Sequence, residues 1–197
     1  MARKKSGRRA AQVFVAQADA VLTFAQAICA SGLGAQHVSW SHDLAIIRLY
    51  RDFENLMLTS LVVAINNDTT TISSRAGLDF PKHLSDEVCE YLVVGTGYFD
   101  FRGRDGLIRE VQKFVPANHY LVPIIKKPQY KTSIERLCAL RNFAAHGSAV
   151  AKKSAMASVG VHRMATAGAW LKGQGRLQAI VAPLKLLAAD IEAAAPY

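Results

Sequence analysis

The sequence predicts an all-helical protein, an up-and-down bundle of long helices with several short ones. Three observations indicate this class. The apolar fraction is 51% and rich in Ala, Leu and Val, and only six prolines interrupt 197 residues. Apolar residues recur mostly at helical spacing, and few segments alternate with the period of two that marks half-buried strands. The length suits one domain with a sizeable core, so we expect residues 10–197 to form a single domain.

Two long helices are expected first. The first covers about residues 10–30, because its large apolar residues recur at helical spacing until Ser31 and Gly32 break the pattern. These residues are Phe14, Val21, Phe24 and Ile28. The second covers about residues 41–65, with a buried stripe of Ile46, Tyr50, Phe53, Met57, Leu61 and Ala64. Its charged first half is interpreted as a solvated face with ion pairs such as Arg48 with Asp52.

The middle of the chain predicts shorter elements. Residues 66–82 have the composition of a loop, and a helix is expected over about 82–94. Residues 95–97 read Gly-Thr-Gly, but the third glycine of a dinucleotide loop is missing. Residues 99–106 predict a structured turn whose aromatic side chains plug the core, followed by a short helix over 107–114. The prolines of the next segment predict extended connections; they are Pro116, Pro123 and Pro128.

A central helix is expected from Thr132 to Gly147. Thr132 and Glu135 have the spacing of a capping box, in which each side chain satisfies a free backbone N–H at the helix start. Glycine is the residue that most easily adopts the left-handed conformation after a last turn, so Gly147 predicts the end. A buried stripe is expected at Ile134, Leu137, Cys138 and Ala145.

Two further helices complete the expected fold. One covers about residues 155–171, and Gly173 and Gly175 separate it from the last. The last helix has a clear apolar stripe, but Pro183 in its middle predicts a kink or a later start. Its stripe consists of Leu177, Ile180, Val181, Leu184, Leu187 and Ile191.

The positive charge is concentrated at the N-terminus. Of the net +9, five charges lie in the first nine residues, and without them the remainder carries about +4, which is ordinary for solubility. We interpret residues 1–9 as a basic, disordered, solvated tail rather than a dedicated nucleic-acid arm. Such a tail still raises non-specific affinity for RNA, because neutralised phosphates release counterions.

The cysteines and histidines indicate neither a disulfide framework nor a metal site. Cys29, Cys89 and Cys138 are far apart in apolar helical patterns, so we expect buried thiols in a reducing compartment. None of the six histidines has a recognisable metal-ligand spacing, and no cofactor is expected. No run resembles a signal peptide or approaches the length of a membrane span, so a cytoplasmic location is expected.

The candidate functional residues lie at the end of the central helix. Asn142 and His146 are four apart and share a face, whereas Arg141 and His146 are five apart and diverge by roughly 140°. On spacing alone, the simpler interpretation is structural. Arg141 would form a salt bridge, Asn142 would face solvent, and His146 would cap the carbonyl end of the helix, where a cation is favoured.

The segment Leu137 to Gly147 resembles the signature of HEPN domains. That signature is an Arg, four to six residues, then His, with Asn commonly after the Arg and Gly after the His. Residues 51–54, Arg-Asp-Phe-Glu, resemble the acidic position on an upstream helix of the RiboL-PSP-HEPN branch, and Phe99 to Leu107 is similar to its aromatic turn. The resemblance spans roughly residues 40 to 190, and its specific part is Arg141 to Gly147.

The resemblance implies a helical bundle that forms a two-fold homodimer with the motif helices near the axis. Many HEPN domains are metal-independent endoribonucleases, often of toxin-antitoxin or phage-defence systems. It implies that His146 acts as base or acid on RNA, that Arg141 holds the scissile phosphate, and that Asn142 orients one of them. Glu54 would orient Arg141 or His146, or form a surface ion pair. The lysines expected to contact RNA are Lys126, Lys127 and Lys131.

Two other functions fit the same residues. HEPN domains also occur without nuclease activity, as modules that bind RNA, nucleotide or a partner protein. An antitoxin-like subunit is a further alternative, and it would form a stable complex with a protein encoded by a neighbouring gene. The complete set of Arg, Asn and His favours the ribonuclease over the non-catalytic module.

Overall fold

A computed structural model describes residues 5–196. The regular secondary structure of this part of the chain is all α-helix, which confirms the all-helical class. It contains ten helices and no strand. Their bounds are α1 Gly7–Ala30, α2 Ala35–Asn67, α3 Thr70–Ala76, α4 Asp86–Val94, α5 Gly103–Val111, α6 Leu121–Lys126, α7 Pro128–His146, α8 Ala149–Val159, α9 Ala167–Leu171 and α10 Arg176–Ala194.

Four long helices enclose the main core. Helix α1 packs on α2 and α10, and α7 packs on the same two helices, so the four form a ring. Helix α10 runs antiparallel to α1. Asp19 in the middle of α1 contacts Lys185 in the middle of α10 at 2.6 Å, while Arg8 at the start of α1 donates from its Nε to the Ala195 carbonyl, just after the end of α10, at 2.8 Å. Helices α3 to α6 lie between α2 and α7 in the chain, and the aromatic turn between α4 and α5 closes one side of the core.

The start of the chain differs from the predicted tail. Residues 1–4 lie outside the described residues, but α1 begins at Gly7, so Arg8 and Arg9 belong to the helix. The Lys5 backbone N–H donates to Asp86 Oδ2 at 2.8 Å, and its ammonium pairs with Glu90 on α4. Ser6 supplies the reason for the early start, because its hydroxyl accepts from the Arg9 N–H as an N-cap. Three basic residues of the predicted tail are therefore part of the fold.

Helix α1 corrects the expectation that no segment approaches membrane-spanning length. Among the described helices it is the one long and apolar enough to cross a bilayer, with a mean hydropathy of 1.6 over its best 18 residues. Length and composition are the basis of this finding, and the core helix of a soluble protein meets the same criteria. Its buried side, including Phe14, Ala18 and Val21, packs in the core. Phe24, one of the apolar residues at helical spacing, is 44% exposed.

Several predicted boundaries are wrong in the segment between α2 and α7. Helix α2 begins at Ala35, and α3 occupies residues 70–76 of the predicted loop. Proline did not exclude helix, because α6 contains Pro123 in its first turns and α7 begins at Pro128, where a missing N–H costs nothing. The predicted capping box is therefore wrong: Thr132 lies inside α7, and the N-cap residue is Lys127.

The C-terminal third is divided differently from the prediction. The single helix expected over residues 155–171 is two helices, because Gly160 ends α8 at a positive φ of 72° and α9 begins only at Ala167. Helix α10 runs from Arg176 to Ala194 with Pro183 inside it, so a later start is wrong. Its predicted apolar stripe, from Leu177 to Ile191, is buried as expected.

Other local predictions can be compared directly. Arg48 Nε lies 2.9 Å from Asp52 Oδ2, which confirms that ion pair. Phe99 and Phe101 are buried, so the aromatic turn does plug the core. Cys29, in contrast, is exposed, and the expectation of three buried thiols is wrong for this residue.

Candidate active site

The end of α7 is fixed by its last apolar side chains and by Gly147. Leu140 and Phe143 are buried and anchor the last turns against the core. Gly147 has a φ of 61° and donates its N–H to the Phe143 carbonyl at 3.0 Å. This left-handed cap confirms the predicted end of the helix. Ala145 is exposed rather than buried, because α7 has left the core by its last turn.

Arg141 is held against α2 by an aromatic ring. Its guanidinium carbon lies 3.8 Å from the centroid of the Tyr50 ring, a close cation–π contact. Its Nη1 donates to Asn142 Oδ1 at 2.8 Å. Arginine is well suited to such stacking because its guanidinium is planar and delocalised, and its remaining N–H groups stay free to bind an anion. Arg141 and Asn142 are therefore brought together, and both are half-buried.

The aromatic turn supports this arrangement from behind. Tyr50 is 2% exposed and stacks on Phe101, with ring centroids 5.5 Å apart. Phe101 also packs edge-on against Phe53 and is tilted against Phe99. These three aromatic contacts pack the turn behind the Tyr50 ring on which Arg141 stacks. The turn between α4 and α5 thus contributes to the site by fixing Tyr50.

Glu54 lies one helical turn beyond Tyr50, on the same face of α2. Burial raises the pKa of its carboxyl above the ordinary value of 4.5, and Asp100 raises it further, while the cations Arg141 and Arg51 oppose both effects. The carboxyl is close enough to Arg141 to sense its charge, but no hydrogen bond joins them in the described structure. The predicted role of Glu54 in orienting Arg141 stays a prediction.

His146 lies apart from this cluster. It is exposed at the last residue of α7, and no hydrogen bond orients its imidazole within the described part of the chain. His146 is five positions after Arg141, so the two side chains leave the helix about 140° apart. One protomer therefore brings together Arg141, Asn142 and Glu54, and leaves His146 facing outward.

The three lysines predicted to contact RNA are not gathered at the motif. Lys127 Nζ contacts Asp190 Oδ2 at 2.8 Å and thereby ties the start of α7 to α10. Lys131 lies 3.9 Å from Glu135 and about 15 Å along the helix from Arg141, at about 1.5 Å per residue. Lys126 is exposed at the end of α6. These residues lie at the opposite end of α7 from His146.

Two site residues were missed as such by the sequence analysis. Tyr50 was assigned to the buried stripe of α2, and only its contact with Arg141 reveals that it is also a platform. Asp100 lies in the aromatic turn, and its charge influences both Glu54 and Tyr50. Nothing in the local sequence around either residue indicates these contacts, because they join three separate segments of the chain.

Within residues 5–196, no group of three or more His, Cys, Asp or Glu side chains is arranged to hold a metal ion. The chain matches no protein-family model, no curated protein and no solved structure.

Proposed function

We propose that this protein is a metal-independent endoribonuclease of the HEPN type that acts as a homodimer. The observation that carries the proposal is the arrangement of Arg141, which is stacked on Tyr50 and joined to Asn142 at the end of α7. The stack leaves guanidinium N–H groups free for a phosphate oxygen. His146 supplies an imidazole, the side chain that most often serves as a general acid or base. The five basic residues among the first nine would add non-specific affinity for RNA.

The chemistry requires few groups. A base removes the proton from the ribose 2′-hydroxyl, and the 2′-oxygen attacks the adjacent phosphorus. The bond from phosphorus to the 5′-oxygen breaks, an acid protonates the leaving oxygen, and the products are a 2′,3′-cyclic phosphate and a 5′-hydroxyl. Arg141 stabilises the additional negative charge on the phosphoryl oxygens in the transition state. Asn142 keeps the guanidinium in place through its hydrogen bond.

The homodimer is part of the proposal because a single protomer separates the catalytic groups. His146 faces outward, away from its own Arg141, and base and acid are both needed in one turnover. A two-fold axis beside the end of α7 would bring two copies of His146 into one cleft. One imidazole would then act as base and the other as acid, with Arg141 of either protomer on the phosphate.

A second candidate is a non-catalytic module that binds RNA, nucleotide or a partner protein. The observation that favours it is the exposed His146, which no hydrogen bond orients in the described part of the chain. A catalytic imidazole is commonly held by a neighbouring group. The toxin and antitoxin-like alternatives predict different effects on cell growth. A toxin, including one from a phage-defence system, arrests cells when it is expressed alone, and an antitoxin-like subunit does not.

The test compares wild type with His146→Ala and with His162→Ala as a matched control. His162 is also an exposed histidine, in the loop between α8 and α9. We expect wild type and His162→Ala to cut structured RNA in EDTA and to leave 2′,3′-cyclic phosphate ends. We expect His146→Ala to lose at least about a hundredfold in rate, the scale of general acid–base catalysis. Equal cleavage by both variants, or cleavage only with added metal, would contradict the proposal.

A further inference from the structure

A cavity of about 360 Å³ opens beside the motif, between the start of α5 and the facing sides of α7 and α8. Asn142 lines it, so the cavity shares a side chain with the proposed catalytic site. The other polar side chains around it are Glu135, Arg102, Ser154 and Ser158. Its volume lies at the lower end of the range for ligand pockets, which suits one small planar group rather than a helical RNA segment.

Part of the cavity lining is uncharged and apolar. Cys138 and Ala139 contribute it, and both are buried in α7. Burial raises the pKa of the Cys138 thiol to about 12, so it stays protonated and does not act as a nucleophile. Gly103 forms one wall at a φ of 64°, a conformation that other residues adopt only with strain. Uncharged lining beside polar side chains suits a heterocyclic base, which has an uncharged ring and hydrogen-bonding edges.

We infer that this cavity binds one guanine base, that of the RNA nucleotide next to the scissile phosphate. The inference rests on the proposed function for the RNA, but the cavity and its chemistry do not depend on cleavage. Bases of single-stranded RNA are read when they are splayed out, stacked, and hydrogen-bonded on their edges. Asn142 lines the cavity and accepts a hydrogen bond from Arg141, so the phosphate of a nucleotide whose base enters the cavity would lie within reach of the guanidinium.

The two charged side chains that line the cavity, Glu135 and Arg102, match the two hydrogen-bonding edges of guanine. Guanine presents adjacent donors, N1–H and the N2 amino group, which a carboxylate accepts with its two oxygens, as Glu135 can. It presents O6 and N7 as adjacent acceptors, for which arginine is the common partner, and Arg102 is available for them. Adenine has an unprotonated N1 at the same place, which repels a carboxylate. The pyrimidines lack the second edge, the adjacent O6 and N7 acceptors to which Arg102 would donate.

Glu135 and Arg102 are both free to take this role. The ion pair of Glu135 with Lys131 is long, at 3.9 Å, and leaves its second oxygen accessible. Arg102 is exposed and forms no hydrogen bond or ion pair within residues 5–196. Most other acidic residues near α5 are occupied by closer partners: Glu110, for example, contacts Lys113 at 2.6 Å. Glu135 therefore differs from Glu110 in two respects: it lines the cavity, and its ion pair is longer.

The experiment titrates the full-length protein with the four nucleoside 5′-monophosphates, followed by NMR of the backbone amides around the cavity. We expect GMP to bind at least about tenfold more tightly than AMP, CMP or UMP, which corresponds to one good bidentate contact. Glu135→Gln is expected to lose about tenfold in GMP affinity, and Glu110→Gln to lose none. Ser154→Phe, which fills the cavity from exposed α8, is expected to abolish GMP binding.

Each outcome decides between the two proposals. Equal affinity for all four nucleotides, no binding, or full GMP affinity in Glu135→Gln would overturn the guanine site. If GMP binds selectively but no RNA is cut, the guanine site stands and the ribonuclease proposal fails. If RNA is cut without preference for guanosine and GMP does not bind, the ribonuclease stands and the guanine site fails.

Discussion

Replacing Arg141 by alanine is the change that most directly separates a catalytic arginine from a structural one. The structure gives two interactions that the change removes. One is the cation–π contact with Tyr50, and the other is the hydrogen bond to Asn142. At a partly exposed position each contributes about 1 kcal/mol to the free energy of unfolding, so the variant should lose about 2 kcal/mol.

This loss is too small to explain an inactive protein by unfolding. Domains are typically stable by about 5–15 kcal/mol, so at least about 3 kcal/mol would remain, and less than about 1% of molecules would be unfolded. For a chain of this size we expect the melting temperature to fall by about 4–8 °C. The cleavage rate, in contrast, should fall by about a thousandfold or more, as for an arginine that stabilises a phosphoryl transition state.

Arg176 provides the matched control. Its guanidinium lies 4.9 Å from the centroid of the Trp170 ring, and its Nη1 donates to the Trp170 carbonyl at 2.8 Å. Arg176→Ala removes the same two kinds of interaction away from the motif, so it should show at most a comparable fall in melting temperature and no change in cleavage. The assay is single-turnover cleavage of labelled RNA together with thermal unfolding by circular dichroism. An Arg141→Ala variant that cuts within about tenfold of wild type would refute the catalytic role.

Two further predictions concern stability. Because burial raises the folded-state pKa of Glu54 above 4.5, the folded state binds more protons, and this group makes the protein less stable as pH rises from about 4.5 through the raised pKa. The melting temperature of Glu54→Gln minus that of wild type should therefore increase with pH between pH 4 and 7, and a difference independent of pH would contradict this. In α9, a Cβ on Gly168 would lie 1.8 Å from the Ser39 carbonyl oxygen, so Gly168→Ala should cost about 3 kcal/mol or more in urea unfolding. Gly97→Ala, with its nearest contact at 3.7 Å, should be tolerated, and equal stability of the two variants would show that α9 packs differently.

The long helices could be predicted from sequence because their apolar spacing continues over many turns. The stripe of α10 from Leu177 to Ile191 and the glycine cap of α7 follow from local rules and are confirmed. Helix starts were harder to predict. Capping by Ser6 extends α1 into the basic segment, and Pro128 fits the first turn of α7, so a charge run and a proline each gave a boundary that was wrong.

The candidate site could be predicted only where its residues are adjacent in sequence. Arg141 and Asn142 were singled out by their motif, and the structure joins them by a hydrogen bond. Tyr50 could not be assigned to the site, because a buried aromatic residue on a helical stripe looks the same whether or not a cation lies above it. The Lys127 side chain is held by Asp190, which is 63 residues away in the sequence. No local pattern indicates such a partner.

The positions of the three motif side chains bear on how a site could be completed. Arg141 is directed at α2, where Tyr50 holds it, Asn142 lines the cavity toward α5 and α8, and His146 is exposed at the helix end. No rotation of side chains alone brings His146 over Arg141, because a difference of about 140° around α7 separates their origins. A larger movement of α7 would break the contact between the Arg141 guanidinium and the Tyr50 ring. A second copy of the chain would supply an imidazole without such a movement, and this is why we propose that the ribonuclease acts as a dimer.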